Sequence, residues 1–103
     1  MRFYSLDKLI NLYDGYRKVF KIDQHGLILL QHQGSVYLLE STCPHRGHPL
    51  TEAGVSGNEL RCPLHGYRFD IGDGQLIAAT EEPCRSLKTF EVVYRQTEVG
   101  LML

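Results

Sequence analysis

Two short segments, each holding one cysteine and one histidine, constrain this chain more than anything else in it. The first reads Cys43-Pro44-His45-Arg46-Gly47-His48-Pro49-Leu50, and the second Cys62-Pro63-Leu64-His65-Gly66-Tyr67-Arg68-Phe69-Asp70. Both read as loops beside strands, with proline directly after cysteine and glycine just after the histidine region. Thiolates suit iron–sulfur clusters and zinc, and imidazoles suit iron or zinc, so ligand type alone leaves both metals open. Order and spacing separate them. A zinc finger pairs cysteine with cysteine and then histidine with histidine. Here each segment supplies one of each, and residues 46–61 lie between the two pairs.

The remaining sequence is mostly strands and turns. Leu6, Leu9, Ile10 and Tyr13 have helical spacing, with Ser5 and Lys8 as half a capping signal, which predicts one short helical turn ended by Asp14-Gly15. Strands are predicted at 16–22, 27–31, 35–40, 59–61, 67–70, 75–78, 87–94 and 100–103. Turns are predicted at 23–26, 32–34, 54–58, 71–74 and 95–98, and nearly all of the 10 glycines fall in turns. The expected fold class is all-β: an antiparallel sandwich or small barrel, with the two Cys–His loops at one end.

A chain of 103 residues is expected to form one domain, 1–103, with residues 42–83 as its metal-binding part. Net charge is −1 with acids and bases interspersed. No basic stretch would track nucleic acid, and no cationic amphipathic segment would seat on a membrane. The segment Met1 to Lys8 carries charge where a signal peptide needs an apolar run, and Leu27-Ile28-Leu29-Leu30 is far too short to span a bilayer. The expectation is a soluble, cytoplasmic monomer. With two cysteines as ligands, Cys84 has no disulfide partner, which fits a reducing compartment.

The two motifs resemble the fingerprint of Rieske 2Fe–2S proteins, in which one iron takes two cysteines and the other two histidines. The resemblance extends to Pro44, Gly47, Pro63 and Gly66, to Tyr67-Arg68-Phe69-Asp70 and the Gly72-Asp73-Gly74 turn, and over essentially the whole chain. It implies one cluster per chain held by Cys43, His45, Cys62 and His65. Neutral imidazoles in place of two thiolates remove negative charge, so an electron is easier to add than to an all-cysteine cluster. The high-potential branch of the family carries an additional cysteine in each loop, forming a disulfide; the matching positions here are His48 and Leu64. That branch is also usually anchored in a membrane, and has a serine that donates toward a bridging sulfide, favouring reduction, where this chain has Tyr67.

These departures imply a soluble, low-potential ferredoxin, similar to the carriers of bacterial ring-hydroxylating dioxygenase systems. Such a protein is not itself an enzyme: it takes electrons from a flavin-dependent reductase and passes them to a terminal oxygenase. The family docks partners over the histidine ligands, which implies a rim of Arg46, His48, Pro49, Leu64 and Gly66. Two other readings stand beside this one: an electron-transfer or small subunit of another reductase complex, and an interaction or sensor domain stapled by its metal. Arg46 reads equally as a residue paired with a nearby acid. Tyr67 and Phe69 read as packing under the loops, and Cys84 as a buried, inert small residue. Glu81 and Glu82, like His25 and His32 in their turns, read as solvated.

Overall fold

Leu27-Ile28-Leu29-Leu30 is buried along its whole length, so the strand carrying it has protein on both faces. The computed structural model describes residues 1–103. Its elements are β1 (Phe3–Lys8), a 3-10 turn (Leu9–Asn11), β2 (Arg17–Ile22), β3 (His25–His32), β4 (Ser35–Glu40), β5 (Gly54–Ser56), β6 (Glu59–Arg61), β7 (Arg68–Asp70), β8 (Leu76–Ala78), β9 (Thr89–Phe90), β10 (Val93–Arg95) and β11 (Glu98–Met102). They form three antiparallel sheets, in the orders β1-β11-β10, β2-β3-β4-β9 and β5-β6-β7-β8. The all-β antiparallel expectation holds, with three sheets rather than two.

Side chains alternate across a strand, so neighbours on β3 go to opposite faces. Leu27 and Leu29, with Leu38 of β4, pack with Tyr16, Val99 and Leu101 against the terminal sheet. Ile28 and Leu30, with Leu39, join Leu60, Phe69 and Ile71 of the β5–β8 sheet and the two cysteines. An unbroken apolar run is what a strand buried on both faces needs, whereas a half-buried strand would alternate.

Where the expected helical turn lies, β1 instead runs to Lys8, and only Leu9–Asn11 winds as 3-10. Ser5 does not cap: its hydroxyl donates to Glu98 Oε1 at 2.5 Å on the neighbouring strand. Asp7 organises the corner. Its carboxylate accepts from the Lys8 amide (2.7 Å), Asn11 Nδ2 (2.8 Å) and the Tyr16 hydroxyl (2.6 Å). These bonds, Tyr16 first, hold the Asp7 carboxyl down at about 2. A depressed carboxyl stabilises the fold above its unfolded pKa and loses that contribution as pH falls toward the folded value. Asp7→Asn is therefore expected to cost ~1 kcal/mol at neutral pH, discounted for solvent screening. The difference from the parent in urea titrations should shrink between about pH 4 and pH 2.

Other expectations change as well. Gly54–Ser56 is a strand paired to β6, and only Gly57-Asn58 turns. The single strand expected at 87–94 is split: β9 pairs with β4 in the middle sheet, and β10 pairs with β11 in the terminal one. The chain changes sheets at Glu91-Val92, where no glycine or proline announces a break. His25 is exposed as expected but begins β3, with its ring edge-on to Phe90. His32 is not solvated: it is half-buried, and its Nε2 is shielded without a partner. Asp14 accepts from Gln31 Nε2 and the Gly34 amide, both at 2.9 Å, and so ties the 13–15 turn to the β3–β4 hairpin beside His32.

Candidate metal centre

The two Cys–His segments fold by the same rule. In the first, the Gly47 amide donates to the Cys43 carbonyl (2.7 Å), and the Cys43 amide donates to the His48 carbonyl (2.8 Å). In the second, the Gly66 amide donates to the Cys62 carbonyl (3.0 Å), and the Cys62 amide donates to the Tyr67 carbonyl (2.8 Å). Both loops thus close over five residues, and each needs a left-handed residue four places after its cysteine. Gly47 (φ 72°) and Gly66 (φ 74°) supply it, a conformation that other residues adopt only with strain. The sequence shows two motifs; the structure shows one loop used twice.

The scaffold holds the loops at one end. The second loop joins β6 to β7. The first leaves β4, is bridged at Thr42–Pro49, and is pinned by Arg17 of β2, whose Nη1 donates to the carbonyls of Thr51 (2.8 Å) and Ala53 (2.7 Å). Leu50 and Ala53 anchor it in the core. Nothing in the local sequence links Arg17 to this loop; only the fold brings them together.

Cys43 and Cys62 are buried in one apolar cluster, their thiols close enough to act on each other. Burial first, and then the adjoining Cys62 thiol, push the Cys43 thiol up to about 11. A buried thiol raised in this way suits a site whose positive metal ions favour the thiolate form. The imidazoles of His45 and His65 meet edge to face with centroids 5.2 Å apart. All four expected site residues therefore converge, with both thiols in the core and the two rings in contact, His65 half-buried and His45 almost fully enclosed. Two buried sulfurs and two adjacent imidazoles are the donor set that fits a 2Fe–2S group ligated by a pair of cysteines and a pair of histidines.

Tyr67 and Phe69 are fully buried under the loops, as expected. The Tyr67 ring stacks on His45 (4.2 Å, 14°), and its hydroxyl donates to the Glu82 carbonyl. That proton is committed to the backbone and not offered toward sulfur. Cys84 is half-buried, not fully buried as expected, against the cluster that contains both other cysteines, and burial pushes its thiol up, away from the thiolate form. Of the expected rim, Leu64 (51% exposed), Arg46 (61%) and Pro49 face solvent. His48 and Gly66 are half-buried, Gly66 beneath the Arg61 guanidinium.

Glu81 is exposed, as read, but not isolated: its Oε1 lies 3.2 Å from His45 Nε2 and 3.9 Å from Arg46 Nε. Further along, the chain packs back on the β7–β8 turn at Gly74, whose carbonyl accepts from the Leu87 amide. A Cβ there would stand 1.9 Å from the Leu87 carbonyl oxygen, so only glycine, at φ 77°, allows this approach.

Residues 3–91 match the model of the Rieske [2Fe-2S] domain. The chain is 30% identical over 82 residues to the ferredoxin component of the naphthalene 1,2-dioxygenase system of Pseudomonas putida, covering 80% of this chain and 77% of that one. It is 28% identical over 89 residues to the corresponding component of the 2,4-dinitrotoluene dioxygenase system of Burkholderia sp. (strain RASC), covering 86% and 84%. Among solved structures it superposes on the ferredoxin of carbazole 1,9a-dioxygenase from Nocardioides aromaticivorans IC177 with a TM-score of 0.82 and 26% identity, covering 97% and 96%. Against three other curated relatives the chain spans only 13%, 9% and 54% of their length. Fold, paired loops and donor set agree with the family model: this chain belongs to the Rieske [2Fe-2S] domain family and carries a cluster of that type.

Proposed function

We propose that this protein is a one-electron carrier, the ferredoxin component of a multicomponent oxygenase system, with Cys43 and Cys62 on one iron and His45 and His65 on the other. The cluster supplies reversible one-electron chemistry; the chain holds it, tunes it and presents it. The observation that carries the reading is the pair of imidazoles in contact at the loop end, beside exposed Leu64 and Arg46, with the two thiols buried in the core. Electrons would pass through the histidine edge. A small, partly apolar rim suits a brief complex burying less than about 1,200 Å² in total.

The partners in this proposal are a flavin-dependent reductase and a terminal oxygenase, docking in turn over Arg46, Pro49 and Leu64. Catalysis of oxygenation belongs to the oxygenase. The proposal includes one domain spanning 1–103, with the cluster-binding part at 42–83, and a monomer in the cytoplasm. No helix is long and apolar enough to cross a membrane.

The test is anaerobic purification, dithionite reduction and electron paramagnetic resonance, followed by turnover between a ferredoxin reductase and an oxygenase. The expected result is a Rieske signal with a low average g, reduction by the flavoprotein and reoxidation by the oxygenase. A colourless, zinc-containing protein would overturn the ligand assignment. A reducible cluster that no oxygenase reoxidises would instead favour the sensor or reductase-subunit reading.

A further inference from the structure

We propose that Glu81 is a positioning residue for His45, and that its carboxylate lowers the reduction potential of the cluster. The inference rests on His45 being an iron ligand, as proposed above. His45 Nε2 is shielded from solvent and lacks an aligned hydrogen-bond partner, while Glu81 Oε1 stands 3.2 Å from it. The His45 side chain is 3% exposed and that of Glu81 46%, so a small rotation of the freer glutamate brings the two into line.

Glu81 is held there from both sides. Immediately before it, the Thr80 hydroxyl donates to the His65 carbonyl at 2.6 Å. Immediately after it, the Glu82 carbonyl accepts from Tyr67, whose ring is stacked on His45. The segment is thus fastened to both ligand loops, and polar atoms of His45, His65 and Glu81 lie within 4.8 Å of one another.

Two consequences follow from elementary chemistry. A partner on one ring nitrogen selects the tautomer and leaves the other nitrogen for the metal. Glu81 on Nε2 therefore reserves Nδ1 of His45 for iron. A carboxylate against a ligand imidazole also makes that ligand a stronger electron donor, and places negative charge near a centre about to gain an electron. Both effects favour the oxidised state. Arg46, 3.9 Å from the same oxygen, offsets part of that charge but is mostly solvated.

The experiment is a spectroelectrochemical titration of the cluster-loaded protein at neutral pH, with parent, Glu81→Gln, Glu81→Asp and Glu82→Gln compared. Glu81→Gln is expected to raise the potential by about tenfold in the electron-exchange equilibrium, about 59 mV for one electron. Glu81→Asp should rescue most of the parent value, and Glu82→Gln should leave it almost unmoved. A Glu81→Gln change smaller than about threefold, ~28 mV, or a change toward lower potential, would overturn the proposal. So would equal shifts in Glu81→Gln and Glu82→Gln, which would mean a general charge effect. Loss of the cluster from Glu81→Gln would also overturn it, since that would make Glu81 structural. A parent protein lacking the Rieske spectrum would sink the ligand assignment instead, so the two failures are told apart before any variant is read.

Discussion

Cys43→Ser and His65→Ala are each expected to yield protein without the Rieske paramagnetic signal and with almost no bound iron, while Cys84→Ala keeps both. All three cysteines touch one apolar cluster, so proximity does not single out the ligand pair. Loop geometry does. Cys43 and Cys62 occupy the same place in two loops of the same form, each closed by a left-handed glycine, and Cys84 has no such loop. Changes outside the coordination sphere cost about 10–100-fold in metal affinity, so removal of a ligand should cost more than about 100-fold. Iron and sulfide analysis with visible absorption measures this directly. Cluster loss from Cys84→Ala with retention in Cys43→Ser would reverse the assignment. The ligand variants should also melt lower than the parent, because a group bound only by the folded state stabilises it by mass action.

Arg85→Met is expected to destabilise the protein by ~2–3 kcal/mol, and to speed cluster loss on heating. The cause lies at Glu40, at the end of β4 and just before the first ligand loop. Its carboxylate, mostly shielded, accepts from Arg85 Nη1 (2.7 Å), Arg85 Nη2 (3.0 Å) and the Lys88 amide (2.8 Å). The Glu40 amide in turn donates to the Lys88 carbonyl at 2.9 Å. The segment carrying Cys84 and returning from Glu81 is thus tied to the base of the metal site. Without Arg85, Glu40 keeps one donor for a shielded charge. Breaking a fully buried pair costs about 3–5 kcal/mol; the lower value reflects the half-exposed guanidinium. Glu40→Gln, which still accepts from Lys88, should cost ~1 kcal/mol. The double variant should cost less than the sum of the two, because the groups act on each other. A change for Arg85→Met within about 0.5 kcal/mol in denaturant titration would show that the pair is only a surface contact.

Much of this protein is legible in its residue order because the relevant information is local. The strands and turns of the β2–β3–β4 meander follow from apolar runs and from Asp23-Gln24 and Gln33-Gly34. Residues Asp23 and Gln33 adopt positive φ, at 54° and 52°. The metal motifs are legible for the same reason: a cysteine, a histidine and a glycine within five positions are enough to build one loop. The misreadings share the opposite cause. Leu6, Leu9, Ile10 and Tyr13 have helical spacing, yet Leu6 and Leu9 pack while Ile10 and Tyr13 are largely exposed, because pairing of β1 with β11 prevails over a weak local preference. A strand partner some ninety positions away leaves no trace in the local pattern.

The two Cys–His motifs, their glycines and the alternating apolar pattern, then, determine by themselves the class of fold and the kind of cofactor, since each depends on residues within a few positions of one another. Which face each strand buries, where residues 87–94 change sheets, and which distant groups guard the site were decided only in three dimensions. Arg17 under the first loop, Glu40 with Arg85, and Glu81 against His45 are all contacts made when the chain is folded back on itself. Each joins residues 34 or more positions apart, a separation at which chain order places no constraint on contact and packing alone selects the partner.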